Sequence, residues 1–248
     1  MTKHIPELKT IYRFGLMFAK ILAFFGLSSC GVFPRPENPV KKNEENPVKK
    51  NEIQQVLFIG NSYSFDVPKM FRELADKNGK KVKVASCTHG GWTLEMHSKH
   101  EPTLKKIHSQ KWDIVVIQDF SLHGAYSESR RQTVMYPYVD FFVKEARAMG
   151  ARPMLYQTWG RRDGQPGLVG DDFYQMNARI REAYSRAADG VGGVEIIPVG
   201  NAWEDQFREG NGNKLFIEDG SHPSDFGNRV SAEVFFESIF GYAAEITK

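Results

Sequence analysis

Short apolar runs rich in β-branched residues alternate with longer amphipathic segments in the part of the chain that begins near residue 53. The apolar runs cover residues 56–59, 82–86, 114–117, 153–156 and 194–198. Runs of this length, bounded by polar and glycine-containing segments, are typical of β-strands. The pattern therefore predicts five strands separated by helices.

The amphipathic segments carry the start and stop signals of helices. The first segment has Pro68 in its first turn and Gly79 beyond its end, the usual places for these residues. Later helices are predicted to begin at Pro137, Asp171 and Pro223. Because alternating strands and helices form a parallel sheet covered on both faces, we predict an α/β fold of three layers, α/β/α, around a five-stranded, flavodoxin-like parallel sheet.

Residues 1–29 begin with basic side chains and continue into a mostly apolar stretch that ends in Leu27-Ser28-Ser29-Cys30. This arrangement is typical of a cleaved export signal. A transmembrane helix is the less favoured alternative, because Lys20 interrupts a stretch that would need roughly 20 apolar residues to span a bilayer. The segment resembles a bacterial lipoprotein signal, which implies cleavage before Cys30, acylation of Cys30, and a lipid-anchored protein of the cell envelope on the periplasmic or outer surface.

Residues 37–52 contain the octamer Glu-Asn-Pro-Val-Lys-Lys-Asn-Glu twice in succession. A highly charged repeat with almost no apolar residues cannot form a core, so it predicts a disordered tether. The chain is thus divided into a signal peptide (1–29), a lipidated Cys30 with its linker (30–52), and one domain (53–248) long enough to build its own core. Cys87 would have no disulfide partner.

The small positive charge of the chain comes from its N-terminal segment. The sequence has 33 basic and 30 acidic residues, and residues 1–29 contain four of the former and one of the latter. The chain without them is neutral, so nothing in its charge predicts nucleic acid as a partner. The membrane contact we expect is the lipid anchor, and the sequence makes no prediction about oligomeric state.

Polar, glycine and tryptophan residues follow the predicted strands at the points where the strands end. Ser62 follows the first strand, Gly91 the second, Gln118 the third, Trp159 the fourth and Trp203 the fifth. The carboxyl ends of parallel strands lie at one edge of the sheet, where ligands bind in such folds. The order of the strands therefore predicts an active site at this edge.

The segment Asp219-Gly-Ser-His222-Pro223 places a carboxylate three residues before a histidine. A serine nucleophile needs a base to accept its proton and an acidic group to orient that base. Ser62, His222 and Asp219 are the residue types for these roles. They predict a hydrolase that works by acyl transfer.

These motifs resemble those of the SGNH hydrolases, the GDSL-like esterase superfamily, across residues 54–242. The resemblance lies in Val-Leu-Phe-Ile-Gly-Asn-Ser ending at Ser62, in Gly90-Gly91-Trp92, and in the segment that contains Asp219 and His222. It implies that Ser62 is the nucleophile, His222 the base and Asp219 its orienting group. It also implies an oxyanion hole made by the N–H groups of Ser62 and Gly91, and no metal or other cofactor.

The third block of the family departs from the usual pattern in this chain. Where the family has Gly-x-Asn-Asp, the sequence reads Ile117-Gln118-Asp119. We expect Gln118 to replace the asparagine as the third oxyanion donor, since an amide one methylene longer can make the same hydrogen bond. The neighbouring Asn61, where the family usually has Asp, is expected to matter less.

The substrate expected at this edge is an acylated glycan or another small ester. Aromatic faces beside hydrogen-bonding groups suit sugar rings, and the residues expected to contact substrate are Trp92, Trp159, Arg161 and Trp203. The leading hypothesis is a serine esterase that removes acetyl or other short acyl groups from a carbohydrate. The alternatives are a thioesterase or lysophospholipase of the same superfamily, and a glycan-binding lipoprotein without useful turnover.

Histidines 89, 97, 100 and 108 form the competing pattern in the sequence. A metal site would need a matching set of carboxylates, which the segment does not supply. We therefore predict that His97 and His100 lie on a solvated helix face.

Overall fold

The structure is a computed structural model that describes residues 54–245. The predicted export signal, the lipidated Cys30 and the repeat linker lie outside these residues and stay predictions.

The described residues form one sheet of five parallel strands in the order β2-β1-β3-β4-β5. The strands are β1 (Gln54–Gly60), β2 (Val82–Thr88), β3 (Ile114–Ile117), β4 (Arg152–Tyr156) and β5 (Glu195–Ile197). This is the predicted flavodoxin-like arrangement, and the fold prediction is confirmed. Strand β5 is shorter than predicted because Pro198 has no N–H for the ladder and caps the following helix instead.

The helices within residues 54–245 cover both faces of the sheet. They are α1 (Val67–Lys77), α2 (Leu94–Ser98), α3 (Glu101–Ile107), α4 (Glu128–Val134), α5 (Tyr136–Ala148), α6 (Phe173–Gly190), α7 (Val199–Arg208), α8 (Gly212–Leu215) and α9 (Asp225–Phe240). None of these helices is long and apolar enough to cross a membrane.

Two helices begin later than the sequence pattern predicts, because a neighbouring side chain supplies the cap. The carboxylate of Asp172, not Asp171, caps α6 by accepting the N–H of Gln175. The hydroxyl of Ser224 caps α9 in the same way, so this helix begins after Pro223. Both are preferred N-cap residues, and capping satisfies a backbone donor at the helix start.

The core lies in two layers, one on each face of the sheet. Along β1, Val56 and Phe58 pack into one layer with residues of α1 and α9, and Leu57 and Ile59 pack into the other with residues of α5 and α6. Successive side chains of a strand point to opposite faces, so a strand apolar at every position must be covered on both sides. This burial fixes the register of β1 and hence the place where the chain leaves the sheet at Gly60.

Candidate active site

The candidate nucleophile lies in the turn that joins β1 to α1. Ser62 is partly exposed and begins a single 3-10 turn over Ser62–Ser64. The first N–H groups of a helical turn have no acceptor within it, so the Ser62 N–H is available to a ligand. Gly60 is needed before the turn, because a Cβ at this position would lie 2.3 Å from Gln118 Oε1.

Ser62, His222 and Asp219 lie within hydrogen-bond distance of one another. Ser62 Oγ is 2.9 Å from His222 Nε2, and His222 Nδ1 is 2.5 Å from Asp219 Oδ2. A carboxylate can only accept, so His222 Nδ1 carries the proton of this bond and Nε2 is left to accept the proton of Ser62. The arrangement can convert the serine hydroxyl into a nucleophile.

The Asp219 carboxylate is fixed by backbone groups as well as by His222. Its Oδ1 accepts the N–H groups of Ser221 and His222, each at 2.9 Å. Burial raises the pKa of the Asp219 carboxyl, but the hydrogen bonds from His222 and from these N–H groups outweigh it and hold the pKa below its ordinary value. Asp219 is therefore an anion at neutral pH, as the orienting group of a histidine base must be.

The segment after β2, which contains Gly91 and Trp92, is hydrogen-bonded to the nucleophile turn through Asn61. Its Nδ2 donates to the carbonyl of Trp92 at 3.0 Å, and its Oδ1 accepts the N–H of Tyr63. Gly91, one residue before Trp92, has φ +73°, a conformation that favours glycine. A carboxylate at position 61 could not donate to the Trp92 carbonyl, so Asn61 matters more than the sequence analysis expected.

Two of the four residues expected to contact substrate are buried. Trp159 and Trp203 are each 0% exposed and stack on one another with ring centroids 3.8 Å apart. The prediction that they contact substrate is wrong, because both rings pack in the core, where Trp203 donates to Ser231 of α9 and Trp159 to the Ser221 carbonyl. Trp92 and Arg161 are partly exposed at the edge predicted for the site.

The buried tryptophans instead support the segment that carries His222. Trp159 stacks on Tyr63 at 4.5 Å and donates its indole N–H to the Ser221 carbonyl. The phenol of Tyr63 is 2.7 Å from Ser221 Oγ, and its ring meets the edge of His222 at 5.5 Å. Large aromatic rings that stack in the core have little freedom to move, so they fix the position of the His222 imidazole relative to Ser62.

A solved structure described as a candidate SGNH hydrolase, from Slackia heliotrinireducens, is 30% identical to the chain. The match covers 76% of this chain and 100% of that one, with a TM-score of 0.62. The chain belongs to the SGNH hydrolases. The family prediction is therefore confirmed, and the protein is an ester-bond hydrolase.

More distant SGNH-fold structures share the architecture of this hydrolase. A DUF4886 family protein from Bacteroides uniformis is 23% identical, covering 77% of this chain and 84% of that one, with a TM-score of 0.65. An acetyl-xylooligosaccharide esterase from Geobacillus Stearmophilus is 15% identical, covering 79% and 97%, with a TM-score of 0.58. At these identities the likeness concerns the fold alone. No protein-family model and no curated protein matches the chain.

Gln118 does not occupy the oxyanion position expected for it in this SGNH hydrolase. Its Oε1 accepts the backbone N–H of Asn61 at 2.9 Å and the hydroxyl of Ser64 at 3.0 Å, and its Nε2 donates to the Asp119 carbonyl. Because the Asn61 N–H can only donate, the atom that faces it must be the amide oxygen. Gln118 thus holds the nucleophile turn by accepting two hydrogen bonds from it. This corrects the expectation that Gln118 donates to the oxyanion.

We expect Gln118→Ala to lower the free energy of unfolding by at least about 2 kcal/mol, because two buried donors would lose their acceptor. Urea denaturation measures this, and the exposed Gln110→Ala should change stability by less than about 0.5 kcal/mol. Unchanged stability with a loss of about 100-fold in kcat would instead restore the oxyanion-donor hypothesis.

His97 is buried, contrary to the prediction of a solvated helix face. Its Nε2 donates to the Gly60 carbonyl at 2.8 Å, and its Nδ1 lies 3.1 Å from the hydroxyl of Thr103. Burial, together with the nearby His89 and His100, lowers the pKa of His97 to about 4 even though the bond to Gly60 raises it. The neutral ring therefore links α2 to the nucleophile turn. Within residues 54–245 no group of three or more His, Cys, Asp or Glu is arranged to hold a metal ion.

Proposed function

We propose that this SGNH hydrolase is an extracytoplasmic, lipid-anchored serine esterase that removes acetyl or other short acyl groups from a carbohydrate. The observation that carries the proposal is the 2.9 Å contact between Ser62 Oγ and His222 Nε2, with Asp219 2.5 Å behind the imidazole. An ester-bond hydrolase needs this combination of nucleophile, base and orienting anion.

The proposed reaction proceeds through an acyl-enzyme. His222 Nε2 accepts the Ser62 proton as Oγ bonds to the ester carbonyl carbon, and the resulting oxyanion accepts hydrogen bonds from the N–H groups of Ser62 and Gly91. His222 returns the proton to the leaving alcohol as the ester C–O bond breaks. Water then gives a proton to the same imidazole as its oxygen bonds to the acyl carbon. The bond between that carbon and Ser62 Oγ breaks, His222 returns the proton to Ser62, and the acid is released.

Trp92 supports the proposal of a carbohydrate substrate. It is partly exposed, adjoins Gly91, and is held by stacking on His89 with ring centroids 4.1 Å apart. A rigid aromatic face beside the oxyanion hole can pack against a sugar ring. The acetyl-xylooligosaccharide esterase that shares the fold acts on an acylated sugar of this kind.

Phe65 supports a thioesterase or lysophospholipase as a second candidate. Its side chain is 52% exposed, and its ring lies 3.9 Å from the position that a Cβ of Gly90 would take. An apolar side chain at the rim would favour longer acyl chains. The third candidate is a glycan-binding protein with little turnover. It is supported by the Gln118 amide, which bonds to the nucleophile turn and so leaves only the two backbone N–H groups of Ser62 and Gly91 as proposed oxyanion donors.

Hydrolysis of p-nitrophenyl acetate, butyrate and octanoate by the purified protein tests these candidates. We expect kcat/KM to be highest for the acetate, because the predicted substrate carries a short acyl group. A steep rise with acyl length would favour the thioesterase or lysophospholipase. Binding of saccharides without hydrolysis of any ester would favour the binding protein.

Replacement of Cys30 by serine tests the proposed anchor. We expect cells that produce the wild-type chain to incorporate labelled palmitate into it, and Cys30→Ser to abolish the incorporation, because a hydroxyl does not replace the thiol that carries the acyl chain. Cys87→Ser is the matched control and should be labelled normally. Labelling of the Cys30→Ser protein would disprove the lipoprotein hypothesis.

A further inference from the structure

Arg161 lies near two segments of the candidate active site, the segment after β3 and the nucleophile turn. It follows β4, and its Nη2 is 3.4 Å from the hydroxyl of Ser121 in the segment after β3. Arg161 also interacts with Tyr63, the residue after the candidate nucleophile. Burial raises the pKa of the Tyr63 phenol, and hydrogen bonding and charge from Arg161 are among the effects that partly offset it. The guanidinium is therefore close to the nucleophile turn.

The charge of Arg161 has no acidic partner among residues 54–245. No carboxylate oxygen of that region lies within 4.0 Å of the guanidinium, and its Nε is enclosed without any hydrogen-bond acceptor. Arg179, by contrast, makes two hydrogen bonds to the Asp171 carboxylate, at 3.0 and 2.6 Å. Apart from its contacts with Ser121 and Tyr63, the partly exposed guanidinium makes no ion pair among residues 54–245, so it keeps N–H donors for a ligand.

We infer that Arg161 binds a carboxylate of the substrate, so that the enzyme prefers O-acylated acidic sugars to their neutral counterparts. This inference rests on the proposed function. The guanidinium presents N–H groups in a planar fork that matches the two oxygens of a carboxylate. A uronate at this edge of the sheet would supply the anion that residues 54–245 do not place beside Arg161.

Acetate release from a matched pair of substrates tests the inference. The pair is a monoacetylated methyl glucuronoside and the methyl glucoside acetylated at the same position, which differ only in the carboxylate at C6. We expect wild-type kcat/KM to be about 10- to 100-fold higher for the glucuronoside, as a charge-assisted hydrogen bond supplies. Arg161→Gln should abolish this preference by lowering kcat/KM for the glucuronoside to the level of the glucoside. Arg161→Lys should keep part of the preference.

Arg152→Gln is the matched control for loss of one positive charge. Arg152 is at the opposite end of β4 in an exposed ion pair with Glu195, so this variant should keep the full preference. The melting temperature of Arg161→Gln should fall little, because the substitution breaks no ion pair among residues 54–245 and the hydrogen bond to Ser121 is long, at 3.4 Å. Equal wild-type rates on the two sugars, or a preference that survives in Arg161→Gln, would overturn the inference while leaving the esterase intact. Failure of wild-type enzyme to release acetate from either sugar would overturn both proposals.

Discussion

Replacing Ser62 by alanine is expected to lower kcat for ester hydrolysis by about 10⁶-fold, the scale seen when a serine nucleophile is removed from such a group. In the proposed mechanism, the contact that Ser62 Oγ makes at 2.9 Å with His222 Nε2 gives the hydroxyl its base, and the acyl-enzyme forms on this oxygen. Folding should change little, because the hydroxyl is partly exposed and supports no buried donor. Single-turnover and steady-state hydrolysis of p-nitrophenyl acetate measure the loss.

Ser64→Ala is the matched control for this substitution. Ser64 lies in the same 3-10 turn, but its hydroxyl points inward and donates to Gln118 Oε1. We expect Ser64→Ala to keep kcat within about tenfold and to lose about 1 kcal/mol of stability. If Ser62→Ala kept ester hydrolysis and Ser64→Ala lost it, Ser62 would not be the nucleophile and the proposed mechanism would be wrong.

Asp219→Asn is expected to lower kcat by about 10⁴-fold with little effect on folding. The backbone N–H groups of Ser221 and His222 hold the oxygen at the Oδ1 position, so the new NH₂ group must face His222 Nδ1. That group can only donate, which forces the imidazole proton onto Nε2. The ring would then have no lone pair to accept the proton of Ser62.

The neighbouring Glu218→Gln provides the control for the change in charge. Glu218 is exposed, and its backbone carbonyl, not its carboxylate, accepts a hydrogen bond from Arg162. We expect near wild-type kcat from this variant. If Asp219→Asn were as active as Glu218→Gln, the 2.5 Å contact between Asp219 and His222 would have no part in catalysis.

The sequence predicted the arrangement of the backbone better than the surroundings of individual side chains. Ser62 follows the end of a strand and His222 lies in a turn motif, and the sequence predicts that they meet. The structure brings them together across 160 positions of sequence. Gln118 was placed at the correct strand end, but its amide faces the backbone N–H of Asn61. Which atom a buried amide turns toward depends on partners from distant segments, and no local pattern encodes them.

The tryptophans show the same limit. Trp159 follows β4 as predicted, yet whether its ring meets solvent depends on Trp203 and on the segment before His222, which cover it. A signal was available for Trp203, since it falls on the apolar side of α7 and faces the core with that helix.

The sequence by itself determined the strand and helix pattern, the edge of the sheet at which the candidate site lies, and the residue types proposed for ester hydrolysis. These follow from the periodicity of apolar residues and from short motifs, which act over a few neighbouring positions. Only the tertiary structure decided that Gln118, His97 and Trp159 support the candidate site from within and that Arg161 has no acidic partner among residues 54–245. Burial and hydrogen-bond pairing depend on which segments meet in space, and that is settled when the two faces of the sheet are covered.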